Sequence, residues 1–172
     1  MKTVRIIAVM LIIVVISLNF ASCSKKYSST RAEDYETYVK EVPDAEKNMP
    51  KLSELGDYEA ILITRRTPND PFFDTTDSVA LFVKYSDEDF DEARLAVEER
   101  YEHIVIPLFN ATVRGYTFSV DINSVGALYP EQSLIIGVNE EEKKIAYLSY
   151  WDLELDYIRS LEEFIEEKFA FE

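Results

Sequence analysis

The chain is poor in the residues that carry most enzyme chemistry: among 172 residues there is one Cys, one His and only four Gly. A single Cys excludes an intramolecular disulfide, so stability has to come from a core. The only imidazole, His103, stands among Tyr101, Ile104, Val105 and Ile106 near the end of a predicted helix, where it reads as a cap or interface residue. No GxSxG turn accompanies it, which disfavours nucleophilic catalysis of the Ser and His kind. Zinc sites built from His and Cys are excluded by the same inventory. The glycines, at positions 56, 115, 126 and 137, form neither GxGxxG nor GxxxxGK, so no phosphate-cradling loop and no nucleotide cofactor is expected.

Positive charge is also scarce. Lys and Arg total 18 against 33 Asp and Glu, a net formal charge of −15, and no basic run with interleaved aromatics overrides that average. Such a surface repels phosphate backbones, so nucleic acid is not an expected ligand. Cations, basic peptides or proteins suit it better, although most acidic excess is simply solvated surface. What the chain does have is apolar content, 47%, with 11 Tyr and 10 Phe, which is the composition of a folding domain. The length allows one domain of ordinary size.

The first 22 residues read as an address. Lys2 and Arg5 form a short basic region, Ile6 to Phe20 is uncharged and mostly apolar, and Ala21, Ser22 and Cys23 close the segment. About 20 apolar residues are needed to span a bilayer, and this run is shorter and already polar at Ser17 and Asn19. The ending, FASC, resembles the lipobox of bacterial lipoproteins: a large apolar residue, two small ones, then the Cys that carries the lipid. The resemblance implies that the Cys23 thiol is joined to diacylglycerol and that cleavage leaves Cys23 as the first residue. It implies a cell-membrane location, lipid-anchored, with the domain on the extracytoplasmic side. Ordinary cleavage releasing a soluble protein and a retained membrane helix are the other readings of the same segment. Residues 24 to 172 are similar in general look to small surface lipoproteins and resemble no family of known activity. Residues 23–31, with Lys25, Lys26 and Arg31 among Ser and Thr, read as a lipidated Cys followed by a polar tether whose cations suit anionic headgroups.

Residues 32–172 are expected to form one acidic α+β domain. Ala32, Tyr35, Tyr38 and Val39 recur at helical spacing up to Pro43, and Phe90, Ala93, Val97 and Tyr101 mark a second helix behind the cap-like Ser86 and Asp89. Tyr58 to Thr64 and Val79 to Tyr85 read as strands, and Thr112 to Ile122 as another with a slip at Gly115 taken for a bulge. Leu134 to Val138 and Ile145 to Trp151 flank the polar tip Asn139 to Lys144, a hairpin signature. Leu155, Ile158, Leu161, Phe164, Ile165 and Phe169 make a terminal helical stripe. The order lacks regular βα alternation, so an antiparallel sheet of about five strands with helices on one face is expected.

Two stretches stand out as sites of contact. In the loop Thr67 to Asp77, Phe72 and Phe73 are ringed by turn formers and by Asp70 and Asp74, the pattern of an aromatic protein-contact site, or of one Phe plugging the core. Tyr147, Tyr150, Trp151 and Tyr157 could stack on sugars, but alternation along a strand would divide Tyr147 from Tyr150. Asp87, Asp89 and Asp91 match the first ligands of an EF-hand loop, yet Glu92 stands where its turn requires Gly and the segment is already helical. No metal is expected there. The leading expectation is a non-catalytic, membrane-tethered binding module for an extracytoplasmic protein or basic peptide. The alternatives are a carboxylate-dependent hydrolase of envelope polymers and an acidic protein neutralising a basic peptide or toxin.

Overall fold

The structure is a computed structural model describing residues 25–68, 76–101, 104–121, 131–152 and 161–169. In chain order its elements are β1 (Lys25–Ser29), α1 (Ala32–Glu41), α2 (Ala45–Asn48), β2 (Ala60–Thr67), β3 (Asp77–Lys84), α3 (Phe90–Arg100), β4 (Ile104–Val113), β5 (Tyr116–Asp121), β6 (Glu131–Asn139), β7 (Lys144–Asp152) and α4 (Leu161–Lys168). The α+β class and the single domain agree with the sequence reading. The strands form one sheet in the order β1-β2-β3-β7-β6-β5-β4, with each neighbouring pair antiparallel.

Seven strands replace the expected five or so, and the physical reason differs for each addition. Residues 25–29, expected within the tether, make β1, an edge strand exposed along nearly its whole length and paired to β2 from Lys25 opposite Thr67 to Ser29 opposite Ile63. Backbone pairing holds it, helped by the Tyr27–Tyr38 ring contact and by the Ser29 hydroxyl donating to Asp34 Oδ2 at 2.5 Å, so no hydrophobic alternation announces it. The stretch read as one strand around Gly115 is instead the meeting of β4 and β5. Arg114 (φ 49°) and Gly115 (φ 81°) both occupy the left-handed region, and Val113 pairs with Tyr116 across them. This is a two-residue type I′ hairpin rather than a bulge. β4 closes the sheet on its far side, a position that tolerates Pro107.

The helices pack on both faces, not on one. In the central strands β3 and β7, consecutive residues are buried, because each phase of the pleat meets a different core. Val79, Leu81, Val83, Ile145 and Tyr147 point to the face covered by Tyr35 and Val39 of α1, Ala45 of α2, and Phe90, Ala93 and Val97 of α3. Ala80, Phe82, Ala146 and Leu148 point to the other face, where Ile165 of α4 and the adjoining Phe169 seal a second cluster with Phe118 and Ile135. Burying side chains of this size contributes about 1.5–3 kcal/mol each.

Local chemistry sets the helix starts. Asp89 N–H donates to Ser86 Oγ at 3.2 Å, half of the expected capping box; in place of the return bond to the Ser86 backbone, the Ser86 hydroxyl donates to Asp89 Oδ2 at 2.5 Å. Asp91 and Glu92 in its first turn and Arg100 in its last complement the helix dipole. The Tyr35 hydroxyl donates to Pro50 O at 2.6 Å and that of Tyr101 to Asn48 O at 3.2 Å, tying the segment after α2 to the cores of α1 and α3.

Candidate functional site

Cys23, Asp70, Phe72, Phe73, Asp74 and His103 all lie outside the described residues. Of the aromatic group around the end of β7, Tyr147 is buried in the α1–α3 core and Tyr150 in the α4 core, divided as alternation requires. Trp151 is half-buried. Asp89 and Asp91 belong to the start of α3, and no group of three or more His, Cys, Asp or Glu that could hold a metal occurs among the described residues.

An unforeseen groove lies between α3 and the far side of the sheet. The helix packs over β7 and β6 but leaves the same face of β5 open, so Thr117 is exposed and Ser119 only half-buried. The resulting trough has a volume of about 680 Å³. Thr117, Ser119, Ile136 and Val138 line it from the strands, and Arg94, Val97, Glu98 and Tyr101 from α3. Gly115, Glu140 and Glu141, from the two hairpin tips, close one end.

The tips hold each other in place. A Cβ at Gly115 would sit 2.8 Å from Asn139 Nδ2, so the close approach requires glycine there as well as the left-handed turn does. Buried Asn139 accepts a 2.9 Å bond from Glu142 N–H at Oδ1, which fixes the turn presenting Glu140 and Glu141. Arg94 Nη1 donates to Glu98 Oε1 at 2.6 Å, so these two charges neutralise each other and Glu140 and Glu141 leave the rim acidic. Tyr101 contributes its ring to the wall, its hydroxyl being committed to Asn48 O; burial, opposed by Arg100 and reinforced by Asp121 and Glu54, pushes that hydroxyl up to about 12. The ring lies tilted against Tyr147, with centroids 6.4 Å apart, which anchors the groove wall to the core. Hydroxyls on the floor, apolar side walls and carboxylates on the rim suit an amphipathic cationic ligand.

On the α4 face, a polar row crosses the sheet near its other end. Arg66 is opposite Ser78, Ser78 opposite Tyr150, and Tyr150 opposite Ser133, and all four are buried. Arg66 Nη1 donates to Thr76 O at 3.0 Å, while Thr76 Oγ1 donates to Asp152 Oδ2 at 2.6 Å. These bonds fasten the start of β3 to the end of β7 and read as architecture. On the α1 side, Arg65 donates to Asp77, to Arg66 O and, at 3.1 Å, to Ser78 O.

No known protein family matches the chain, and neither does any curated protein or solved structure.

The groove escaped sequence reasoning because it is made by missing cover. Its one trace is the phase of β5, where Thr117, Ser119 and Asp121 fall on the face that β6 and β7 fill with apolar residues.

Proposed function

We propose that this chain is a lipid-anchored binding module on the extracytoplasmic side of a bacterial membrane, with the trough between α3 and β5 as the site for a cationic peptide segment. The observation that carries the reading is the trough itself: a cavity whose rim carries Glu140 and Glu141, while Arg94 and Glu98 neutralise each other. The anchor part of the reading rests on Cys23 and the apolar run before it. No helix among the described residues is long and apolar enough to cross a membrane. A carboxylate hydrolase is less well supported, because Asp77, the carboxyl that burial pushes up, sits beside Arg65 under α1 and does not line the trough.

The site is tested by titrating the domain with a synthetic oligo-lysine peptide. Combining Glu140→Gln and Glu141→Gln is expected to weaken binding about fivefold, since exposed charge pairs contribute about 0.2–1 kcal/mol each. The wild-type affinity should fall with added salt. Equal affinity of the double variant would remove the trough as the site. For the anchor, fatty-acid label should be incorporated by the wild type and lost in Cys23→Ser.

A further inference from the structure

If Cys23 carries the lipid, the way the domain faces the membrane follows from the sheet. Ser24 alone separates Cys23 from Lys25, the first residue of β1. Successive Cα atoms are about 3.8 Å apart, so the acylated residue lies within about 8 Å of the sheet. There is no room for a tether: the lipid is joined almost directly to the corner of the sheet where β1 begins.

That corner is distant from the trough in both directions of the sheet. Along the strands, Lys25 is opposite Thr67, Asp77 is opposite Trp151, and Trp151 is opposite Gln132, so these residues share one end. Glu140 and Glu141 follow Asn139 at the other end of β6. Seven residues of strand separate Gln132 from Asn139, about 24 Å at the usual rise. Across the strands, β1 is one edge, and β5 is the sixth strand in the order, beyond β2, β3, β7 and β6. Five steps of about 4.8 Å again give about 24 Å, less whatever the sheet's twist takes up. Whether the domain stands on its strand ends or leans on its β1 edge, the trough is held away from the bilayer.

Charge agrees with this placement. Lys25 and Lys26, both exposed, stand beside the attachment point, where anionic headgroups attract them. At the far tip Lys144 pairs with Glu142 and Lys143 follows, which leaves a small acidic excess from Glu140 and Glu141, both exposed, that the same headgroups do not attract. The Debye length is about 8 Å at physiological ionic strength, so a trough about 24 Å away is screened from the bilayer's field.

We infer that the anchor and the trough occupy diagonally opposite corners of the sheet, so that the membrane-bound protein offers its site to cationic ligands arriving from the space beyond the bilayer. This rests on the lipid-anchor reading. The full-length chain can test it, because an acylated Cys23 leaves no other thiol. Ser28→Cys on β1 and Thr117→Cys on the trough floor, both exposed positions, each introduce a unique site for a fluorophore. With the protein in vesicles containing anionic lipid and headgroup-quenching lipid, the Ser28 label is expected to be quenched at least several-fold more than the Thr117 label. Equal quenching, or stronger quenching at Thr117, with fatty-acid label present on Cys23, overturns the orientation alone. Absence of fatty-acid label from Cys23 overturns the anchor and the orientation with it.

Discussion

Gly137 lies directly across β5 from Phe118, and the fully buried ring fills the space a side chain would take. Gly137→Ala places a methyl inside that ring, so overpacking should destabilise the fold by about 1–3 kcal/mol in urea titration. Phe118→Leu added to Gly137→Ala should recover part of the loss; a double variant less stable than either single one would exclude this contact as the cause. Arg65, 3% exposed, is the other residue with large leverage. Burial pushes the Asp77 carboxyl up, and Arg65 beside it pulls it back. Arg65→Ala should therefore destabilise by about 3 kcal/mol at neutral pH, because it strands the half-buried Asp77 carboxylate. With Arg65 gone, the folded carboxyl titrates well above its unfolded value. The stability of the variant is then greatest where Asp77 is protonated and falls as pH rises through the folded pKa. The deficit against wild type should shrink in acid; a deficit independent of pH would show that packing, not charge, is lost.

Elements differ in how far the sequence announces them. α1, α3 and the strands β2, β3, β6 and β7 carry their periodicity openly, because each buries a regular set of side chains against a partner. β1 carries none, being an exposed edge held mainly by ladder bonds. The two-sided burial of β3 and β7 was legible in retrospect, since Ser78 to Val83 is buried without a break, whereas the expected one-faced sheet would alternate. The trough was not legible, because it depends on where α3 stops covering the sheet, a tertiary relation that no single segment encodes. The β4–β5 turn offers a test at this scale. Arg114 adopts φ 49° at a cost that Asn bears better, so Arg114→Asn creates the Asn-Gly pair that type I′ turns prefer. Its side chain now makes an exposed 3.0 Å pair with Glu166. A net gain of about 0.5–1 kcal/mol is expected in the denaturation midpoint, and a net loss would show that the Glu166 pair outweighs the turn.

For the molecule as a whole, buried tyrosines set the alkaline limit. Burial pushes Tyr85, Tyr101 and Tyr116 up to about 12, and raises Tyr35 and Tyr147 as well. Unfolded tyrosines ionise near pH 10. The folded state thus keeps protons that the unfolded state has lost, and stability present below about pH 10 disappears as pH rises through about 12. Unfolding followed by circular dichroism should coincide with the appearance of tyrosinate absorbance; tyrosinate formed at full ellipticity would show the rings to be open to solvent. The strand order has one more consequence, for the time at which this fold can exist. β7 is the middle strand of seven, yet it is the last made, so β3 lacks its inner neighbour until residue 152 has been synthesised. Pairing across such separations is slow to nucleate. A growing chain therefore keeps β3 open on one side until β7 has been made, and the sheet is completed at its middle rather than at an edge.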